Sequence, residues 1–266
     1  MNTLEVKDIL VPIIYEAGKI MLSAHDVEGG EGSVKEKQGD TNFVTVYDVK
    51  VQEYLIGKIK ERFPEATFFA EEKENSAEDI QKDCCFIIDP IDGTTNFMHE
   101  YKRSSISVAL VSHSEAVFGA VYDPYLGELF YAEKGKGAFL NGKPIKVSNR
   151  SISVAVAAMG TVPYYKKELG EATFGIGKEL YDLGADMRRG GSAAIDLSYL
   201  AVGRHDLFFE LRLSPWDFAA SQLIVREAGG IVSDMYGNPL DLSKPSSVIA
   251  ANSEIYDTLV GITKKY

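Results

Sequence analysis

Residues 84–97, CCFIIDPIDGTTNF, join an apolar run to two aspartates three positions apart and then to a Gly-Thr-Thr. The apolar part predicts a buried strand over residues 85–88, and Asp89 follows it directly. In sheets flanked by helices, ligands bind where the strands end, because side chains there point into a crevice. Gly93 lets the backbone approach a ligand closely, and the amides at the head of a following helix suit a phosphate. Asp89, Asp92 and Gly93 therefore indicate a site for a phosphate beside carboxylates.

Carboxylates also follow other predicted strands. Glu71 and Glu72 come directly after the strand-like TFFA, and Asp217 opens a helix after a Pro-Trp pair. So many like charges in one place are unfavourable unless cations neutralise them, and oxygen-only ligands indicate Mg²⁺ or Mn²⁺. Taken singly, Asp92 and Asp217 could instead be helix caps, and Glu71 with Glu72 could begin an exposed loop.

Helical and strand patterns alternate along the whole chain. A first helix is predicted over residues 4–24, with a kink or a new start at Pro12, and Asp48 is predicted to cap a second helix. Residues 105–147 alternate apolar and polar positions between turn signals, which predicts an antiparallel sheet. Strands and helices then alternate from residue 148 onward. The pattern predicts an α/β protein in which helices and strands alternate throughout the chain.

Composition excludes several classes of protein. The 266 residues carry a net charge of −11, which argues against nucleic acid as the main partner because a polyanion needs a basic face. Cys84 and Cys85 are adjacent, which excludes a long-range disulfide framework and favours a reduced environment. The sequence contains neither a signal-peptide pattern nor an apolar run long enough to span a bilayer. We therefore expect a cytoplasmic protein without a membrane partner.

One competing motif is similar to DPIDGT. Phosphatases of the haloacid dehalogenase type carry Asp-x-Asp-Gly-Thr near the start of the chain, and their first aspartate is a nucleophile. Here the spacing is Asp-x-x-Asp, and the motif begins at Asp89. The spacing and the position both argue against that class.

The motifs together resemble the inositol monophosphatase family. The quoted stretches are FVTVYD, AEE, DPIDGTTNF, RRGGSAAIDLSYLAVGR, FFE and WDFAA, which occur in the family's order over nearly the whole chain. The resemblance implies an alternating α-β-α-β-α sandwich, a Mg²⁺-dependent and lithium-sensitive phosphatase, and a homodimer. It also implies one catalytic unit over residues 1–266, with a metal- and phosphate-binding half, 1–147, and a substrate-side half, 148–266.

The resemblance also implies roles for individual residues. Glu71, Asp89 and the Ile91 carbonyl would hold one metal, and a second would be held by Asp89, Asp92 and Asp217, with a third, weaker site near Glu71. Thr94 and Asp48 would orient a metal-bound water, and Glu71 would share in the catalysis. The substrate would contact Asp92, Gly93, Thr94, Gly191, Ser192, Ala193, Glu210, Asp217 and Lys37. The implied reaction is hydrolysis of inositol monophosphate to inositol and phosphate by direct attack of a metal-activated water.

Several alternatives stay open at this stage. The substrate could be another phosphorylated sugar or nucleotide: fructose 1,6-bisphosphate, NADP or a 3′-phosphoadenosine nucleotide. The chain could also be a non-catalytic regulatory or interaction protein that has kept the fold. Arg188 and Arg189 could pair with acids across a subunit interface or contact a second phosphate. Trp216 is expected in the core.

Overall fold

The computed structural model of the protein describes residues 3–24, 34–36 and 43–266. Two helices form one of its outer layers. They are α1 (Thr3–Leu22) and α2 (Val46–Arg62). Pro12 lies inside one continuous α1, so no new helix starts there. The buried apolar face of these helices repeats at helical spacing and consists of Val6, Leu10, Ile14, Ala17, Met21, Val51, Leu55 and Ile59. Between the helices, β1 (Val34–Glu36) pairs antiparallel with β2 (Phe43–Thr45).

The α1–α2 layer packs on the larger of the two main sheets. Its strands, in spatial order, are β3 (Thr67–Ala70), β4 (Cys85–Asp92), β5 (Ser105–Ser112), β6 (Glu115–Asp123), β7 (Glu128–Glu133), β8 (Gly137–Leu140) and β9 (Lys143–Ile145). Strands β3 and β4 are parallel, and every later neighbour is antiparallel. The antiparallel sheet predicted for residues 105–147 is confirmed.

The smaller main sheet comes from the second half of the chain. Its spatial order is β11 (Asp186–Arg188), β10 (Val156–Met159), β12 (Leu207–Leu213), β14 (Ser246–Ala251) and β13 (Ile231–Ser233). The remaining helices are α3 (Thr94–Met98), α4 (Lys166–Asp182), α5 (Ala193–Ala201), α6 (Pro215–Glu227) and α7 (Tyr256–Thr263).

Helices α5 and α6 are packed between the two sheets, and α4 and α7 cover the outer face of the smaller sheet. Strand alternation divides the side chains between these layers: Phe208 packs with α5 and α6, and its neighbour Phe209 packs with the α4–α7 layer. Gly119 of β6 allows a close approach to α6, since a Cβ there would lie 2.6 Å from the Ala220 carbonyl oxygen. The layer order is α-β-α-β-α, which confirms the predicted fold class.

No helix among the described residues is both long enough and apolar enough to span a bilayer. Cys84 and Cys85 are both free thiols.

Candidate active site

A bulge at the end of β4 brings two carboxylates together. Asp89 pairs with Ser107 of β5 and Asp92 pairs with Ser105, so β4 uses one more residue than its partner over this stretch. In a regular strand, residues three positions apart point to opposite faces of the sheet. The extra residue removes that offset, and both aspartates reach the same side. The strand therefore continues to Asp92, beyond its predicted end at residue 88.

Asp217 of α6 completes a cluster with these two aspartates. One carboxylate oxygen from each of Asp89, Asp92 and Asp217 lies within 4.8 Å of the other two. Asp217 is the third residue of α6, where it accepts a hydrogen bond from the Ser214 amide at 2.6 Å and so closes a capping box. Asp217 therefore takes part both in capping α6 and in the acid cluster.

Protein donors hold one oxygen of each carboxylate in the cluster. Asp89 accepts the Ile91 amide on Oδ1 at 3.0 Å. Asp92 accepts the Ser192 hydroxyl and the Ala194 amide, the latter at 2.8 Å, both on Oδ2. In each of the three, the hydrogen bonds made by the described residues fall on a single oxygen, which fixes the carboxylate and leaves its second oxygen for a ligand.

The electrostatics of the cluster favour a bound cation. Burial, then the neighbouring Glu71, Asp92 and Asp217, raise the pKa of Asp89 well above its usual value, and burial with Asp92 and Glu71 does the same to the pKa of Asp217. Burial also raises the pKa of Asp92, to about 6, although its hydrogen bonds from Ser192 and Ala194 oppose the shift. A hard divalent cation would relieve this repulsion, and oxygen donors are the ligands that Mg²⁺ prefers. The donor set therefore fits the implied Mg²⁺.

Glu71 and Ile91 lie beside the cluster. Glu71 follows β3 and lines the same cavity as the three aspartates, although its carboxylate is not one of the three oxygens that lie within 4.8 Å. The Ile91 carbonyl, which the resemblance assigns to a metal, accepts a hydrogen bond from the Thr94 hydroxyl at 3.2 Å.

Thr94 also connects the cluster to Asp48. Its hydroxyl lies 3.4 Å from Asp48 Oδ1. The helix cap predicted at Asp48 is corrected: Thr45 is the N-cap of α2, and Asp48 is the third helical residue, which accepts the Thr45 amide at 2.8 Å in a capping box. Asp48 is fully buried, and burial raises its pKa to about 7 despite the hydrogen bonds from Thr45.

The Gly93 turn is fixed against the second half of the chain. Gly93 has a φ of +90°, and a Cβ there would lie 2.8 Å from the Gly191 carbonyl oxygen. The Ser104 hydroxyl donates to the Gly93 carbonyl at 2.9 Å. The Asn96 amide donates to the carbonyls of Arg103, at 2.8 Å, and of Gly190, at 3.0 Å.

The residues predicted to bind the polyol line one cavity with the acid cluster. Its volume is about 630 Å³, and the predicted residues among its lining are Glu71, Asp89, Ile91, Asp92, Gly93, Thr94, Gly191, Ser192, Ala193, Glu210 and Asp217. Ser192 is also the N-cap of α5. Burial raises the pKa of Glu210 to about 8, although the Val162 amide donates to it at 3.3 Å. Val162 itself has a φ of +42°, which is rare for a β-branched residue and occurs where ligand sites hold strain.

Lys37 lies outside the described residues. Other residues also line the cavity. Tyr165, Asp196 and Arg212 were not singled out from the sequence, the role of Arg189 was left open, and Trp216 was expected in the core. Trp216 is only half-buried and packs on Phe69, so the expectation of a core tryptophan is wrong in part. Strand alternation could have found Arg212, which lies two residues after Glu210 on β12.

Comparisons with known proteins agree over nearly the whole length of the chain. A model described as the inositol monophosphatase family matches residues 2–266. Nus factor SuhB of Escherichia coli (strain K12) is 36% identical over 254 residues, covering 95% of this chain and 93% of the relative. Inositol monophosphatase 3 of Solanum lycopersicum is 36% identical over 261 residues, covering 95% and 94%. The solved structure of a Thermotoga maritima IMPase matches with a TM-score of 0.85 and 33% identity, covering 100% of this chain and 98% of that one.

Proposed function

Because the chain belongs to the inositol monophosphatase family, we propose that it is a Mg²⁺-dependent phosphomonoesterase that hydrolyses inositol monophosphate to inositol and phosphate. The observation that carries the proposal is the cluster of Asp89, Asp92 and Asp217 inside a cavity that also contains the Gly93 turn.

The acid cluster would hold two or three Mg²⁺ ions, for which Mn²⁺ is a possible substitute. Glu71, Asp89 and the Ile91 carbonyl would hold one ion, and Asp89, Asp92 and Asp217 a second. When bound, the ions would supply the positive charge that activates water and stabilises the departing alkoxide. The hydrogen bonds on one oxygen of each aspartate would keep the other oxygen directed at the ions.

Thr94 and Asp48 would handle the attacking water. The Thr94 hydroxyl has acceptors in Asp48 Oδ1 and the Ile91 carbonyl, so its own oxygen remains available to accept a hydrogen bond from water. Asp48, with its pKa raised to about 7 by burial, can take up a proton near neutral pH. Attack by water directly on phosphorus needs no covalent enzyme intermediate.

The substrate would be held by its two ends. The amides of Gly93 and Thr94, together with Asp92, would face the phosphate, and Lys37 is a further proposed contact. The polyol would lie against Gly191, Ser192, Ala193, Glu210 and Asp217. Glu210, held by the Val162 amide, would exchange hydrogen bonds with hydroxyl groups. Since residues of both halves line the cavity, we propose that 1–147 and 148–266 act as one catalytic unit.

Three further properties are part of the proposal. Lithium sensitivity and a homodimeric state rest on the family alone, and a cytoplasmic location rests on the cysteine content and the sequence pattern.

An interaction role is the second candidate function. The observation in its favour is that a 36% identical relative is named a Nus factor. The acid cluster favours catalysis, because a site that had lost its activity would be expected to have lost a carboxylate or Thr94.

The test is phosphate release from inositol 1-phosphate, fructose 1,6-bisphosphate, NADP and 3′-phosphoadenosine 5′-phosphate, with Mg²⁺ titrated and an EDTA control. We expect Mg²⁺-dependent turnover with inositol 1-phosphate preferred. Strong turnover of another ester would keep the chemistry and change the substrate. No release from any of the four would refute the enzymatic proposal in favour of the interaction role.

A further inference from the structure

Two glycine-containing segments contact each other at the cavity. One is the Gly93 turn, and the other is residues 190–192, here called the polyol segment, of which Gly191 and Ser192 line the cavity. Gly191 has a φ of +85°, and a Cβ at Gly93 would lie 2.8 Å from the Gly191 carbonyl oxygen. The phosphate would face the Gly93 turn and the alcohol would face the polyol segment. The distance between these two segments therefore decides which alcohol fits.

Asn96 joins the two segments. It lies in α3, three residues after Gly93, and its side chain is buried. Its Nδ2 donates to the Gly190 carbonyl at 3.0 Å and to the Arg103 carbonyl at 2.8 Å. A side-chain amide has two N–H donors, so both are used here, one for each half of the chain. The bond to Gly190 ties the start of the polyol segment to the first half.

The Asn96 amide also packs against the polyol segment. A Cβ at Gly191 would lie 2.9 Å from Asn96 Nδ2 and 3.0 Å from Asn96 Oδ1. A Cβ at Gly190 would overlap with the Asp196 carboxylate, so two side chains confine the backbone of this segment. In packing this close, a change in the length of the Asn96 side chain would displace the segment.

A different residue holds the other end of the polyol segment. Asp92 Oδ2 accepts the Ser192 hydroxyl and, at 2.8 Å, the Ala194 amide. Asp92 belongs to the acid cluster, whereas Asn96 is neither in that cluster nor among the residues that line the cavity. Loss of the Asn96 amide would thus move the backbone that faces the alcohol and would leave the hydrogen bonds on Asp92 in place.

We propose that Asn96 is a positioning residue for the substrate alcohol: by holding Gly190, it sets the distance between the polyol segment and the Gly93 turn to fit inositol. Asn96 acts through the backbone of Gly190 and Gly191 and takes no part in the reaction itself. The inference rests on the proposed phosphatase function and deepens it, since it assigns part of the preference for inositol 1-phosphate to a residue outside the cavity wall.

The test separates KM from kcat for two esters. We would measure both constants for inositol 1-phosphate and for phenyl phosphate, whose alcohol carries no further hydroxyl groups, together with the Mg²⁺ concentration that gives half-maximal activity. Asn96→Ala removes both donors. Asn96→Gln keeps both donors but is one methylene longer, so it displaces the segment without leaving the carbonyls unpaired, and it decides the test if Asn96→Ala does not fold.

Asn252→Ala is the matched control. Asn252 is also a buried asparagine, and its Nδ2 also donates two hydrogen bonds, to the Ser148 hydroxyl at 3.0 Å and to the Arg150 carbonyl at 3.1 Å. It does not line the cavity. Its loss should lower stability in urea and leave both KM values unchanged.

In both Asn96 variants we expect KM for inositol 1-phosphate to rise about tenfold, with kcat changed only a few-fold, because the interactions lost are those that bind the alcohol. For phenyl phosphate, KM should stay within about twofold of the wild-type value, because this ester makes few contacts with the polyol segment. The Mg²⁺ requirement should not change. A merely structural role would lower the folded fraction, and with it kcat for both esters, without raising KM for one of them.

Two kinds of failure are distinguishable. If both esters lose equally, or if the Mg²⁺ requirement rises together with KM, Asn96 acts on the whole site, and the positioning role is refuted while the phosphatase stands. If the wild type hydrolyses neither ester, the proposed function fails, and calorimetric titration of inositol 1-phosphate in Mg²⁺ decides the role of Asn96. Binding about tenfold weaker in Asn96→Gln than in the wild type would support the role, and equal or absent binding would refute it.

Discussion

Asp89 is the residue on which the site depends most. It is buried, it lies on the bulged end of β4, and the other acids of the cluster raise its pKa. Burial and the neighbouring acids are both unfavourable for a charged carboxylate, and a bound cation would relieve both. The same residue would contact both proposed metal positions.

We expect Asp89→Asn to abolish turnover, because the amide keeps the shape but removes the charge shared by the two metal positions. The loss should exceed the roughly 10- to 100-fold that follows removal of a hydrogen-bond partner of a metal ligand. Phosphate release and Mn²⁺ binding by calorimetry would both be measured. Near-normal turnover in this variant would contradict the assignment of the metal site.

Glu210→Gln should change the preference among alcohols more than the chemistry. The side chain lines the cavity and accepts a hydrogen bond from the Val162 amide, and it would face the polyol. We expect KM for inositol 1-phosphate to rise by about tenfold, the cost of a weakened hydrogen bond, with kcat changed only a few-fold. Phenyl phosphate, which has no hydroxyl groups on its alcohol, is the control ester and should be unaffected. Loss of hydrolysis of every ester would mean that Glu210 takes part in the reaction itself.

At the scale of the elements, the sequence shows which acids meet but not how they meet. The acids at the ends of β3 and β4 and at the start of α6 could be chosen because each follows or opens a recognisable element. The bulge between Asp89 and Asp92 could not be predicted, because it depends on the register of β4 with β5, which is set by contacts distant in sequence.

The N-cap of α2 is a second feature that the sequence could not decide. Thr45 and Asp48 both have cap-forming side chains three positions apart, and either can begin a helix. The reciprocal hydrogen bonds decide in favour of Thr45 and place Asp48 on the inner side, within reach of Thr94.

A buried ion pair joins the segment after α3 to helix α5. Arg103 contacts Asp196 at 2.7 Å, with side chains 23% and 2% exposed, and its guanidinium lies 4.8 Å from the centre of the Tyr199 ring. The pair is 93 residues apart in sequence, and it supports the same segment whose Ser104 hydroxyl holds the Gly93 carbonyl.

We expect Arg103→Met to lower the free energy of unfolding by about 3–5 kcal/mol, because it leaves the buried Asp196 carboxylate without this partner. Urea denaturation would measure the loss, with Lys178→Met as control. Lys178 forms an exposed pair with Asp182 one turn away, and removing it should cost only about 0.3–0.5 kcal/mol. Equal effects of the two variants would show that the buried pair contributes no more than a surface pair.

At the scale of the whole molecule, the layered fold brings acidic side chains from both halves of the chain into one cavity. The strand ends of the larger sheet supply Glu71, Asp89 and Asp92, and the second half supplies Glu210 and Asp217. The layers themselves are held by apolar faces that alternate along the strands, which is why the helices and strands could be predicted from periodicity, whereas the layered arrangement was predicted from the family resemblance. The acids, in contrast, make the metal-free protein less stable than its core alone would allow.

We therefore expect the metal-free protein to lose stability as the pH rises from about 4 to about 8. Burial raises the pKa of Asp48 to about 7 and that of Glu210 to about 8, from 3.8 and 4.5 in the unfolded chain. Within this window the folded state binds more protons than the unfolded state, so the free energy of unfolding falls with pH, by at most about 1.4 kcal/mol per pH unit for each group. Below about pH 4 both states are protonated, and this contribution is fully present.

Mg²⁺ should counteract the loss of stability, because it would compete with protons for the acid cluster of Asp89, Asp92 and Asp217, whose pKa values are also raised. Urea denaturation at pH 5, 6.5 and 8, in EDTA and in Mg²⁺, would measure it, and the gain from Mg²⁺ should be larger at pH 8 than at pH 5. Exposed acids with a lowered pKa, such as Glu179 and Asp186, give a slope of opposite sign, so the comparison with a variant is decisive. Asp48→Asn removes one buried titrating group and should make the fall with pH in EDTA shallower. An unchanged slope in that variant would show that Asp48 is already ionised in the folded protein at pH 5, and its part in holding a proton beside Thr94 would then have to be abandoned.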